Sequence, residues 1–147
     1  MIKRHKYIVI LVLCTITALR LSAQTEKIQW YSFEDAAKLN AQNHKKVFID
    51  IFTDWCGWCK ELDRSTFTNP VIVKLMSENF IAVKLNAERK DTVMFNGYMF
   101  VNPNPNGFRS PHQLASTMLK GRMMYPSMVF MDDSMRISWK YLSLLDI

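Results

Sequence analysis

The sequence predicts an α/β domain with a central mixed sheet flanked by helices, and three observations carry that prediction. Two apolar, β-prone runs, 47–53 and 80–86, are separated by helical segments long enough to cross over a sheet face. A strand, a long helical connection and a second strand make a βαβ unit, which places the two strands parallel and the crossover right-handed. A third run near the end, Ser127-Met128-Val129-Phe130-Met131, is followed by a cleanly alternating segment expected to be a half-buried strand beside it.

In chain order, the first stretch is not domain. Lys3, Arg4 and Lys6 precede an apolar run from Tyr7 through Leu13 and on to Leu19, and Leu21-Ser22-Ala23 closes with small residues before Gln24. This reads as a secretory signal peptide over 1–23, cleaved near Ala23, with one domain over 24–147. Arg20 interrupts the run before the roughly 20 apolar residues a membrane span needs. A lipoprotein reading at Cys14 is weaker, because Leu13 stands where a small residue is expected. An exported location follows, periplasmic or extracellular.

That cut changes the charge. The chain has 147 residues, 49% of them hydrophobic, with 19 basic and 13 acidic side chains. Losing Lys3, Arg4, Lys6 and Arg20 leaves 15 basic residues against 13 acidic, near +2. No nucleic-acid partner is implied. The length suits one domain with a substantial core.

Residues 24–31 are expected to be extended, with Ile28, Trp30 and Tyr31 packing. Ser32 and Asp35 form a capping-box-like pair that opens a helix to about Asn43, with Phe33, Ala36, Ala37 and Leu39 inward. After the 47–53 strand, Asn69-Pro70 supplies an N-cap and a first-turn proline for a second helical segment, with Val71, Ile72, Leu75 and Met76 on one side. Thr92–Phe95 and Tyr98–Val101 are joined by Asn96-Gly97, a strong hairpin signal. Residues 102–107 read as exposed turns. Ser110 as N-cap, Pro111 and Gln113 then start a helix of about ten residues that Gly121 ends.

The chemistry lies in Trp55-Cys56-Gly57-Trp58-Cys59-Lys60. A strand that runs into this segment, followed by a helix-prone Lys60–Arg64, puts Cys56 at a helix start, where unpaired N–H groups favour thiolate over thiol. Cys56 is the expected nucleophile. Cys59, three residues on, is placed to attack a mixed disulfide at Cys56 and expel the partner. An exported compartment permits disulfides, yet so short a loop would stabilise a fold only modestly, so a redox pair explains the spacing better than a staple.

Phe48-x-Asp50-x-Phe52-x-x-Trp55-Cys56-Gly57-x-Cys59-Lys60 resembles the active-site segment of thioredoxin-like thiol-disulfide oxidoreductases. The resemblance covers most of Ile28 to Tyr141, with Trp58 standing where thioredoxin itself has proline. It implies a thioredoxin-like fold with a β-hairpin insertion before the strand that follows a cis-proline, here Tyr125-Pro126. A trans loop proline is the alternative for that bond. It further implies that Asp50 lies buried beneath the cysteines and moves the proton as Cys59 is activated. Substrate would pair with the backbone at Tyr125, beside Pro126, while Trp55 and Trp58 form an apolar rim. The implied activity is disulfide exchange with exported client proteins, recharged by a thiol-disulfide electron donor, with no cofactor.

Rival readings weigh less. Zinc would need a second cysteine pair or closely spaced histidines, and His44 and His112 read as surface residues, so no metal is expected. Lys60 stands where a c-type haem site requires histidine. A thioredoxin-fold binding module without turnover remains the alternative, docking through the Tyr- and Met-rich insertion, although most Met and aromatic residues read as core. From Met135 the alternation of Met135, Ile137, Trp139 and Tyr141 with polar residues predicts a half-buried last strand. Beyond it only Leu142–Ile147 remain, a short or missing terminal helix. The expectation is that this chain dimerises or docks a partner through the uncovered face, or is a truncated form of a longer one.

Overall fold

The computed structural model describes residues 26–142. The signal peptide expected over 1–23 and the residues from 143 onward lie outside them. Five strands form one mixed sheet: β1 (Trp30–Tyr31), β2 (Val47–Phe52), β3 (Ile81–Asn86), β6 (Ser127–Met131) and β7 (Ile137–Leu142), in spatial order β1-β3-β2-β6-β7. A separate hairpin joins β4 (Val93–Phe95) to β5 (Tyr98–Phe100). The helices are α1 (Phe33–Asn43), α2 (Gly57–Arg64), α3 (Pro70–Asn79) and α4 (Gln113–Leu119).

β2 and β3 pair in parallel, as the long α2–α3 connection requires, and β6 joins β2 antiparallel with β7 beyond it. Period-two alternation splits β2 between two cores. Val47, Ile49 and Ile51 join Phe33, Val83, Leu85, Leu114, Leu119 and Val129 on one face, whereas Phe48 joins Phe67, Val73, Met76 and Ala82 on the other. Asp50 shares the Phe48 face by the same alternation and is fully buried.

Ser32 caps α1 by accepting from the Asp35 N–H, as the sequence implied. Asn40, on the same helix, is buried because its amide donates to the carbonyls of Lys45 and Asp133, tying α1 to two loops. Asn69 and Pro70 start α3 as expected, but its buried residues are Val73 and Met76. Val71 and Leu75 point outward instead, 72% and 48% exposed. The helix lies on the Phe48 face at a rotation that the apolar pattern alone did not specify.

The hairpin forms through Asn96 and Gly97, both at positive φ (50° and 78°), the geometry a two-residue turn between twisted strands needs. Its Met94, Tyr98 and Met99 are 62–71% exposed rather than core. α4 is shorter than expected and its N-cap is His112, not Ser110. The His112 ring accepts from the Leu114 N–H through Nδ1, so the side chain is buried where the sequence suggested a surface residue. His44 is exposed, as expected. Asn102, placed among exposed turns by its neighbours, is also buried.

The final strand pairs with β6 but is less buried than its alternation suggested. Met135 sits in the preceding turn with φ 56°, and Ile137 and Trp139 are 44% and 55% exposed on an edge strand. Trp139 packs on Phe130 and Tyr141.

Candidate active site

The site gathers at one end of the sheet, beyond the carboxyl ends of the parallel strands, where α/β sheets commonly place ligands. β2 ends at Phe52 and turns through Thr53 to Cys56, with the Cys56 N–H donating to the Thr53 carbonyl at 3.1 Å. In the ladder, Ile51 lies opposite Ser127, so Pro126, one residue earlier, enters at the same end. Phe52 lies opposite Asn86, and Ala87 donates back to the Phe52 carbonyl. Three segments distant in sequence therefore converge there: 53–56, 86–88 and 125–126.

Cys56 is the N-cap of α2, and its sulfur accepts the Cys59 N–H at 3.1 Å. The two sulfurs are joined in a disulfide. Both cysteines are buried, Cys56 retaining 5% exposure and Cys59 1%. Cys56 is the more accessible of the pair. A sulfur at this place receives a backbone N–H and the positive end of the helix, the arrangement that lowers a thiol pKa.

Asp50 lies on β2 beneath this turn. Burial raises its pKa above the ordinary carboxylate value, and Lys84 opposes that rise. The Lys84 ammonium donates to Asp50 Oδ2 at 2.6 Å and also pairs with Asp63 of α2. Among the described residues Asp50 Oδ1 has no hydrogen-bond partner. Lys84 itself passes among the rings of Trp30, Phe52 and Phe67, at 4.9–5.2 Å from their centroids. It lines a cleft of about 460 Å³ together with Trp30, Asp63 and Phe67. The sequence reading missed Lys84. Its signal was present: a lysine inside the apolar run 80–86, directly opposite Asp50 once the parallel register is known.

Of the expected rim, Trp55 and Tyr125 come together and Trp58 stands apart. Trp55 meets Tyr125 edge-on at 5.8 Å, and its indole N–H donates to Glu88 at 2.9 Å. Trp58 projects from the first turn of α2 and is 67% exposed. Tyr125 is half-buried, with its hydroxyl pKa pushed up to about 12 by burial. The Tyr125–Pro126 peptide bond is cis and Pro126 is buried. Residues 89–112 add a wall to this end, since the Arg109 guanidinium stacks 4.0 Å over the Trp55 ring.

Among the described residues, no group of three or more His, Cys, Asp or Glu side chains is placed to hold a metal ion, and no helix is long and apolar enough to cross a membrane. What the arrangement offers chemically is a disulfide whose Cys56 sulfur caps a helix, with a buried acid on the strand that leads into it.

Comparison with known proteins agrees with that geometry. The family model Thioredox_DsbH, described as a protein of unknown function, DUF255, matches residues 15–103. The thiol:disulfide interchange protein DsbD of Haemophilus ducreyi is 32% identical over 94 residues, covering 52% of this chain and 16% of that protein. The first three curated relatives are matched over 9%, 61% and 16% of their own lengths, so the chain spans less than two thirds of each. Among solved structures, a putative disulphide-isomerase from Bacteroides thetaiotaomicron is similar, with a TM-score of 0.54 and 22% identity over 82% of this chain and 84% of that one. A DsbH oxidoreductase gives 0.53 at 16% identity, over 78% of this chain and 72% of that one. At these identities the structural likeness is one of fold.

Proposed function

Because the chain belongs to the thioredoxin-like family Thioredox_DsbH, we propose that it is a thiol-disulfide oxidoreductase working through Cys56 and Cys59. The observation that carries this reading is the capped, disulfide-forming Cys56 sulfur at the start of α2, beside the cis Tyr125–Pro126 bond. In the reduced state, the Cys56 thiolate attacks one sulfur of a client disulfide. A mixed disulfide forms and one client thiolate leaves. The Cys59 thiolate then attacks Cys56 Sγ, closing the intramolecular disulfide and releasing the second client thiolate. Two electrons pass to the client, and each departing thiolate takes up one proton. The reverse sequence, starting from the disulfide form, oxidises a client dithiol by the same atoms.

Asp50 is assigned the proton of Cys59. Its burial supports this role, since burial raises the pKa of a carboxyl and so favours the form that holds a proton. Trp55, Trp58, Tyr125 and Pro126 are assigned to client binding. Clients are exported proteins, and a separate thiol-disulfide donor resets the pair; both rest on the signal-like residues 1–23 and on the DsbD resemblance. The domain is taken as 24–147, and intact mass of exported protein measures where it begins.

The test is insulin reduction with a dithiol donor. Wild-type protein should accelerate it and Cys56→Ser should not, whereas Cys59→Ser should accumulate mixed disulfides because nothing resolves them. Equal behaviour of wild type and Cys56→Ser would return the chain to a binding module.

A further inference from the structure

The insertion brings to Trp55, next to Cys56 in the chain, two residues that the exchange chemistry does not need. Phe108 is 90% exposed, the most exposed large apolar side chain among the described residues. Arg109 lies between two rings, its guanidinium 4.0 Å from the Trp55 centroid and 5.0 Å from that of Phe108. Among the described residues Arg109 makes no ion pair. The nearby Glu88 accepts from Trp55, and Asp54 accepts from Asn86.

This loop is built, not loose. The Asn102 amide donates to the carbonyls of Arg89 and Ser110, while its oxygen accepts from the Asn104 N–H and the Ser110 hydroxyl. Gly107 donates to the Asn104 carbonyl, and a Cβ there would collide with the Asn104 side chain. Arg109 then takes φ 52°, which turns the chain at the stack. Several polar staples thus hold an apolar ring out in water beside the Arg109–Trp55 stack, where burying it against a partner is favourable.

Resting on the function proposed above, we propose that Phe108 and Arg109 select the client: an extended polypeptide disulfide with an apolar side chain and a carboxylate within about three residues of its reactive cysteine. The geometry sets that spacing. The client sulfur must reach Cys56, next to Trp55 in the chain, and with the Arg109 guanidinium 4.0 Å from the Trp55 centroid and 5.0 Å from that of Phe108, the two rings lie no more than about three extended residues apart at roughly 3.3 Å each. The apolar side chain covers Phe108. The carboxylate takes the free edge of the guanidinium, whose face is occupied by the rings.

The experiment measures kcat/KM on three disulfides: a cystine peptide with Phe and Glu flanking the cysteine, the same peptide with Ser and Gln, and hydroxyethyl disulfide as reference. Wild type should prefer the first peptide over the second by at least about fivefold. Phe108→Ser should lose the part of that preference due to Phe, and Arg109→Gln the part due to Glu, each measured as a ratio to the reference. Equal wild-type rates on the two peptides overturn this inference and leave the exchange function standing. So does a uniform fall on all three disulfides, which would mean that the stack only positions Trp55. No wild-type exchange with any of the three overturns the proposed function itself.

Discussion

The β2–α2–α3–β3 unit and the 89–112 insertion meet at Ala87, yet different forces hold them. In the first, alternation and helical spacing bury Val47, Ile49, Val83 and Leu85 on one face and Phe48, Val73 and Met76 on the other. In the second, few apolar groups are buried and three polar side chains do the fixing. Arg89 binds both Glu34 and Asp91 with paired hydrogen bonds, Asn102 makes four, and His112 bridges the Asp91 carbonyl to the first turn of α4. Apolar burial is cumulative and tolerant, whereas a buried polar staple depends on each partner. The Cys56–Cys59 disulfide rests on the tolerant region, and the surface proposed to meet clients rests on the exacting one.

The sharpest separation is chemical. Cys56→Ser should lower exchange on the order of a thousandfold or more, while the cores on both sheet faces keep their stability, measured by insulin reduction beside thermal melting. Next comes the apolar unit. Ile49→Ala leaves a cavity in the larger core and should destabilise the whole domain by about 3–4 kcal/mol in urea unfolding, with every probe reporting the same midpoint. Asn102→Ala should instead act locally. It orphans two carbonyls, an N–H and a hydroxyl, and should lower hydrogen-exchange protection across 89–112 by about 2 kcal/mol, leaving the amides of β2 unchanged. Equal loss in both regions would erase the distinction.

Two smaller effects follow from titration. Burial lowers the pKa of His112, so the folded chain holds it neutral. Its contribution is present above the ordinary histidine value of about 6.5 and is lost as pH falls from there through the lowered value. Protonation would remove the Nδ1 acceptor for Leu114, so the insertion should loosen in that window by about 1 kcal/mol, and His112→Asn should flatten the dependence. Asp50 runs the other way. Its raised pKa means that stability is full below about pH 4 and is lost as pH rises through the raised value. Asp50→Asn should therefore add about 1 kcal/mol at pH 7–8, gain nothing below pH 4, and slow exchange at neutral pH. An unchanged pH–rate profile would leave Asp50 a structural acid.

Legibility divided along the same line. Periodicity and capping residues placed β2, β3, α1, α3 and the hairpin, because those signals are local. The Cys56–Cys59 pairing, the burial of Asp50 and the cis Tyr125–Pro126 bond were legible through motif and spacing. Lys84 was not, because its pairing with Asp50 depends on register between strands 34 residues apart. Nor was His112: a histidine that caps a helix with its own ring looks in sequence like any polar residue before Gln113. Val71 and Leu75 misled for the converse reason, since apolar spacing shows that a helix has a face without showing which way tertiary packing rotates it.

The capped sulfur has one further consequence. Cys56 Sγ completes the first turn of α2 by accepting the Cys59 N–H, so the group proposed to exchange electrons is also part of what holds the helix. Free energy is a state function. The preference of the folded chain for the bonded sulfurs over two thiols, relative to the unfolded chain, must therefore equal the difference in unfolding free energy between the two redox forms. Each 1.4 kcal/mol by which one form outlasts the other in urea corresponds to about 30 mV between the folded and unfolded couples. Two denaturation curves and the potential of a short peptide carrying residues 55–60 thus measure the electrochemical poise of the protein without any client.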